Sequence, residues 1–234
     1  MIAIQGEQLT RRYGGFAALD AVDIAVPARE IRGLIGPNGA GKSTLIDVLS
    51  GRNSNWSGRV SFHGQDIGRL SVQQRRAAGL ARSFQRTNIF PGLTVLEQLE
   101  IAARSAEISN VDEVMTELGL TPLALRVAAD ISYGDRRRLD LALALIGRPK
   151  VLLLDEPAAG LSMGESLALA EHLKDLVSRW NVTVLLVEHD MEVVFAICDR
   201  ITVLHLGKVL AEGTPDEVRG NPEVVTAYLG SAAE

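Results

Sequence analysis

Apolar and polar residues alternate along Val22-Asp23-Ile24-Ala25-Val26, which predicts a half-buried strand. Ile31–Ile35 is a short apolar run ending at Gly36, and Arg59-Val60-Ser61-Phe62 runs into the turn residues His63-Gly64. Short early strands of this kind predict a mixed or antiparallel sheet. Beyond Pro91-Gly92 the period changes. Val95, Leu96, Leu99 and Ala102-Ala103 recur near the helical repeat, as do Val111, Val114, Met115 and Leu118, with Gly119 as a stop signal. Gly147-Arg148-Pro149 closes this stretch. Residues 86–145 therefore read as a helical subdomain inserted into a core made of residues 1–85 and 146–234.

The last third alternates strand and helix. Val151–Leu154 and Val182–Val187 are apolar runs of strand length. Helical patterns follow each, over Met163–Trp180 and Met191–Cys198, before two short strands at Ile201–Leu206 and Lys208–Ala211. This alternation predicts a parallel α/β sheet buried on both faces.

The 234 residues carry 24 Lys and Arg against 29 Asp and Glu, a net charge of −5. That balance argues against a nucleic-acid partner, which calls for a basic face. One cysteine, Cys198, excludes an intrachain disulfide framework and a cysteine-rich metal site. The longest apolar runs, Leu141–Ile146 and Val193–Cys198, are far shorter than a membrane span. The start, Met1 to Glu7, has no basic leader pattern. The expectation is a soluble cytoplasmic protein that can serve a membrane as a peripheral subunit.

The strongest chemical signal is Gly36-Pro37-Asn38-Gly39-Ala40-Gly41-Lys42-Ser43, followed by Thr44. It matches the phosphate-binding loop pattern and sits between an apolar strand and a plausible helix, Lys42–Leu49. Glycines let backbone N–H groups wrap phosphate oxygens, and the helix N-terminus adds a favourable dipole. Lys42 supplies a point charge for the β- and γ-phosphates, and Ser43 a hydroxyl for Mg²⁺. A second signal is the acid pair Asp155-Glu156 at the end of Val151–Leu154. Asp155 is suited to hold Mg²⁺ and Glu156 to polarise an attacking water as general base. These two motifs leave kinases, GTPases, helicases and transport ATPases open.

Three further features narrow the choice. Ile131-Ser132-Tyr133-Gly134-Asp135 starts a helix, and Ser132 and Gly134 make a phosphate-binding end there. It has no evident role with its own nucleotide, so a second chain's nucleotide is its natural partner. Gln85, in Ser83-Phe84-Gln85, stands where the helical block joins the core and is placed to reach Mg²⁺ or water. His189, after the strand ending at Val187, is placed to touch a γ-phosphate.

With these motifs in order, nearly the whole chain resembles the ATP-binding subunits of ABC transporters. The resemblance implies a P-loop NTPase of ABC type, a mixed α/β core with an N-terminal antiparallel β subdomain and an inserted helical one. It casts Tyr13 as the aromatic that stacks on adenine, Gly36–Ser43 as the Walker A loop and Gln85 as the Q-loop residue. Ser132–Asp135 becomes the signature, Val151–Glu156 the Walker B strand, Ala159–Ser162 the D-loop and His189 the switch histidine. It implies ATP and Mg²⁺, water attack on the γ-phosphate, and a head-to-tail dimer with an identical or homologous cassette. The helical subdomain would dock on transmembrane permease subunits, which take their cargo from a solute-binding protein.

Asp155-Glu156-Pro157-Ala158-Ala159-Gly160-Leu161, Glu188-His189-Asp190-Met191 and the tail from Gly213 to Gly230 look like the branched-chain amino acid uptake branch. Urea-uptake and lipopolysaccharide-export ATPases look similar. A soluble ABC ATPase, such as an iron–sulfur assembly factor, is a competing class. A non-hydrolysing regulatory cassette is another, although Lys42, Glu156 and His189 are all present. The signature departs from its usual form, with Ile131 for Leu, Tyr133 for Gly and Asp135 for Gln, and Ser162 replaces the usual D-loop Asp. These departures predict modest rather than abolished ATPase activity. Arg136–Arg138 reads as a solvated helix face, and Cys198 as a small buried apolar residue.

Overall fold

A computed structural model describes residues 1–83, 88–104, 106 and 108–230. The strand β1 (Ile2–Tyr13) turns through Gly14-Gly15 into β2 (Phe16–Pro27), an antiparallel pair. With β4 (Ser57–Phe62) and β5 (Gln65–Asp66) these form a sheet of order β2-β1-β4-β5. The second sheet holds β3 (Ile31–Ile35), β6 (Leu80–Arg82), β7 (Val151–Asp155), β8 (Thr183–Val187), β9 (Arg200–His205) and β10 (Lys208–Gly213). Its order is β10-β9-β3-β8-β7-β6, parallel except for the β9–β10 hairpin.

The strands β3, β7 and β8 are buried at every position. Alternate residues serve two cores. Leu152 and Leu154 face one core, Val151 and Leu153 the other. The first core is covered by α3 (Val95–Ala103), α4 (Val111–Glu117), α5 (Tyr133–Leu145), α6 (Met163–Trp180) and α7 (Met191–Ile197). The second packs the antiparallel sheet and α1 (Lys42–Ser50) onto the opposite face. Burial on both faces explains why these strands read as unbroken apolar runs.

The antiparallel and parallel expectations hold, and the helical stretches at 95–103, 111–117 and 163–180 fall where the periodicity put them. Several elements were not anticipated. The expected strand Val22–Val26 is part of the much longer β2. The strand β1 was invisible because its register shifts between Gly6 and Leu9 and again towards Tyr13, which breaks the two-residue repeat. The helix α2 (Val72–Ala77) and β6 are too short to carry a period. The tail forms α8 (Pro215–Arg219) and α9 (Pro222–Gly230).

The helix α2 starts at a Ser71/Gln74 capping box and presents two adjacent arginines to other helices. Arg75, 1% exposed, donates to the carbonyls of Val48 (2.9 Å) and Leu49 (2.7 Å) at the end of α1. It also donates to Leu70 (3.2 Å) and Gly68 (3.3 Å). A Cβ at Gly51, which ends α1 at φ +82, would stand 2.8 Å from Arg75 Nε. Arg76 donates to Ala144 (2.7 Å) and Ile146 (2.5 Å) at the end of α5. Cations at carbonyl-rich helix ends are favourable, and more so when buried. Replacing Arg75 by Met would leave several buried carbonyls short of a donor. Arg75→Met should lower unfolding free energy by about 2–4 kcal/mol, at roughly 1–3 kcal/mol per unsatisfied buried group less local relaxation. Urea denaturation checks it; an unchanged midpoint would contradict this account of α2.

Candidate functional site

The phosphate-binding loop leaves β3 at Gly36. A Cβ there would meet the Leu204 carbonyl oxygen at 2.1 Å, and one on Gly41, at φ +108, would meet that of Ala18 at 2.4 Å. Only glycine lets the loop pass this close to β9 and β2. Lys42 is 6% exposed, and its ammonium donates to Gly36 O (2.6 Å) and Pro37 O (3.1 Å). Burial pushes its pKa down, while Glu156 and Asp155 pull it back up.

Tyr13, Phe16 and Ala18 of the first hairpin form one wall of a cavity of about 310 Å³. Asn38, Gly39, Ala40, Gly41, Lys42, Ser43 and Thr44 form its floor, and Glu156 and His189 its far side. Sequence reasoning named nearly all of these. Phe16 carries no recognisable motif, yet it stands half-exposed opposite Tyr13 in the β1–β2 pairing. The Tyr13 ring lies 4.3 Å from the Arg11 guanidinium, and its hydroxyl accepts from Asn53 Nδ2 at 3.1 Å. A larger groove, about 780 Å³, runs along the outer side of the same loop against α9. It lacks Lys42, Ser43, Glu156 and His189, all of which line the smaller cavity.

Glu156 and His189 meet at 2.8 Å, Oε1 to Nε2. Glu156 sits at φ +51, a left-handed conformation that non-glycine residues rarely adopt. It is held there by its N–H donating to Val187 O (2.9 Å) and its carbonyl accepting from Ala159 N (3.2 Å). Glu188, 4% exposed, accepts from Ala158 N (2.8 Å) and His189 N (3.3 Å) and so ties the two loops together. Burial raises its pKa, and those two N–H bonds oppose the shift. Sequence reasoning gave Glu188 no role; an acid ending an apolar strand was the available signal.

Asp155 is 5% exposed, and Arg82 Nη2 donates to its Oδ2 at 3.1 Å. Burial raises the Asp155 pKa and Arg82 opposes it. Arg82 was missed as well. Gln85 lies outside the described residues.

Ser132 caps α5. Its Oγ accepts from Asp135 N at 3.1 Å and donates to Asp135 Oδ2 at 2.7 Å. Arg138 forms an ion pair with the other Asp135 oxygen. Ser132, Gly134 and Asp135 border a separate hollow of about 270 Å³ that contains no residue of the phosphate-binding loop. One chain thus does not bring its own signature to its own loop. Tyr133 and Arg137 both donate to Ala159 O, at 2.9 and 3.1 Å, linking α5 to the loop after Glu156. Arg136–Arg138 is therefore only in part a solvated face. Arg137 is 5% exposed, Arg136 donates to Ala129 O and Arg138 to Leu118 O, because these carbonyls lie within reach of the first turns of α5. Ser162 builds a capping box with Glu165 at the start of α6, which gives this departure a local reason.

A glycine loop with a buried lysine, a hydroxyl at a helix N-terminus and a carboxylate–imidazole pair can bind a polyphosphate and activate water against it. The family model for ABC transporters matches residues 19–159, and that for the branched-chain amino acid ATP-binding cassette transporter matches residues 208–234. The chain is 38% identical to the high-affinity branched-chain amino acid transport ATP-binding protein LivG of Escherichia coli K12, over 99% of this chain and 98% of that protein. It is 37% identical to BraF of Pseudomonas aeruginosa, a protein of the same description, over 96% of each. The ADP conformation of MJ1267, an ATP-binding cassette of an ABC transporter, superposes with a TM-score of 0.89 at 30% identity, over 98% of this chain and 99% of that one. A fold, a motif order and a tail shared over almost the whole length leave one conclusion: the chain belongs to the ATP-binding proteins of the ABC transporter family.

Proposed function

We propose that this chain binds ATP with magnesium in the 310 Å³ cavity, hydrolyses it, and so powers uptake of branched-chain amino acids or a similar small polar solute. The observation that carries the chemistry is the Glu156–His189 pair, 2.8 Å apart on the cavity that also holds Lys42 and Ser43. The solute class rests on the relatives' names and on the matched tail.

Tyr13, with Phe16 beside it, receives the adenine, and the N–H groups of Gly36–Thr44 the phosphates. Glu156 draws a proton from the attacking water while His189 fixes the carboxylate and meets the γ-phosphate. Lys42 turns from its loop carbonyls to the β- and γ-phosphates. Positioning and charge neutralisation supply most of the rate in such transfers. Ser43 and Asp155, with Gln85, would hold magnesium, which neutralises phosphate charge when bound. Their oxygen donors suit a hard cation. No group of three or more His, Cys, Asp or Glu converges among the described residues.

Ser132, Gly134 and Asp135 are assigned to the nucleotide of a second cassette in a head-to-tail dimer. A dimeric state is named for the related cassette MJ0796, bound to ADP and phosphate, which is 25% identical at a TM-score of 0.79 over 91% of this chain and 98% of that one. Residues 86–145 are taken as the inserted helical subdomain, and 1–85 with 146–234 as the core. Two hollows sharing Val72, Arg76 and Ala102 run between α2 and α3, and the exposed Ile108 lines one of them. That face is the docking surface for a permease supplied by a solute-binding protein. Among the described residues no helix is long and apolar enough to cross a membrane. Permease attachment is what places the chain on the inner membrane face.

Glu156→Gln should keep ATP affinity, nearly stop turnover and accumulate an ATP-bound dimer on size exclusion. An unchanged turnover number would remove Glu156 as the base. In Asp135→Gln, the signature hydroxyl is released from a charged acceptor. Turnover should rise by about fivefold, the equivalent of one hydrogen bond of roughly 1 kcal/mol. Steady-state phosphate release measures it, and an equal or lower rate would clear Asp135 of restraining the signature. Tagged chain extracted from its host's membranes in mild detergent should co-purify with polytopic permeases; recovery of soluble partners alone would refute the transport reading.

A further inference from the structure

We infer that Arg82 is a positioning residue for the magnesium end of the site: it fixes the Asp155 carboxylate by bridging it to Asp47 and Ser50 on α1. The inference rests on the reading above, in which Asp155 and Ser43 meet magnesium.

Arg82 ends β6, the edge strand paired in parallel with β7, and lies level with Leu153. From there its side chain, 9% exposed, reaches past Leu154 to the end of β7. Nη2 donates to Asp155 Oδ2 at 3.1 Å. Nη1 donates to Asp47 Oδ1 at 2.5 Å and to Ser50 Oγ at 3.0 Å. Asp47 and Ser50 lie about one and two turns beyond Ser43 on the same helix. One guanidinium thus joins the strand that carries one proposed magnesium ligand to the helix that carries the other.

The residue type matters. A planar guanidinium holds two acceptors at a fixed separation, which a lysine ammonium cannot do. Its bond to Asp155 engages a single oxygen, Oδ2. A buried carboxylate with no fixed partner would rotate, and would face Asp47 uncompensated. Groups that orient metal ligands typically change metal affinity by about 10–100-fold when removed.

The test separates magnesium from nucleotide. A fluorescent ribose-labelled ATP analogue is titrated into the full chain in EDTA and again in saturating magnesium, and the ratio of the two dissociation constants is taken. Arg82→Met should keep its EDTA affinity within about twofold of wild type while its ratio falls about tenfold, the lower end of the usual range. Arg82→Lys should recover part of it. Asp47→Asn, at a site one-third exposed, should lower the ratio in the same direction, and it keeps the test in force if Arg82→Met does not fold. A ratio equal to wild type in both Arg82→Met and Asp47→Asn would overturn the inference. So would a ratio that rises, which would mean that Arg82 competes with magnesium for Asp155. If wild type itself shows no magnesium effect, the functional reading fails, and this inference with it.

Discussion

Everything in the site depends on the register of three parallel strands. Leu34 of β3 and Asp155 of β7 both lie level with Val187 of β8. The phosphate-binding loop, the acid pair and the Glu188-His189 turn therefore leave the sheet at one height. This is the carboxyl edge, where open α/β sheets bind ligands. Burial on both faces makes the register strict. A one-residue slip of β7 would exchange Leu152 and Leu154 with Val151 and Leu153 between the two cores. It would also move Glu156 along the strand by about 3.3 Å, more than its contact with His189 could survive.

Buried cations hold the helices to that edge. The helix α1 points its N-terminus into the cavity, and α5 points its own into the signature hollow. The opposite, carbonyl ends of both are closed by one short helix, through Arg75 and Arg76. The two helix starts, one at the glycine loop and one at the signature hollow, are thus braced from a common point on their far sides. Asn110 adds a second clamp on α5, donating to Leu145 O at 3.3 Å and accepting from Gly147 N at 2.8 Å.

Much of this was legible in the sequence, for physical reasons that can be named. The loop Gly36–Ser43 was readable because the approach of Leu204 O and Ala18 O admits glycine alone. The strands β3, β7 and β8 were readable because two-sided burial leaves unbroken apolar runs. What stayed hidden depends on contacts between distant segments. Arg82 reaches Asp155 and Asp47, Arg75 reaches Val48, and Arg137 reaches Ala159, none of which has a local pattern. The departures at Asp135 and Ser162 looked like losses against the family motif. Each instead closes a helix start, with Ser132 and Glu165 respectively. Such a cap is visible in sequence as a spacing of three, but the charge it sets beside a hydroxyl is not.

The backbone of Glu156 draws stability and turnover apart. Its left-handed φ of +51 opposes the intrinsic preference of a glutamate by about 1–2 kcal/mol. A glycine there would relax the turn without disturbing the Val187 bond. Selection for heat resistance alone would therefore drift away from the proposed general base, and a library screened only for folding would enrich glycine at this position. A glutamate at this backbone position fits the chemical role proposed for it and not an architectural one.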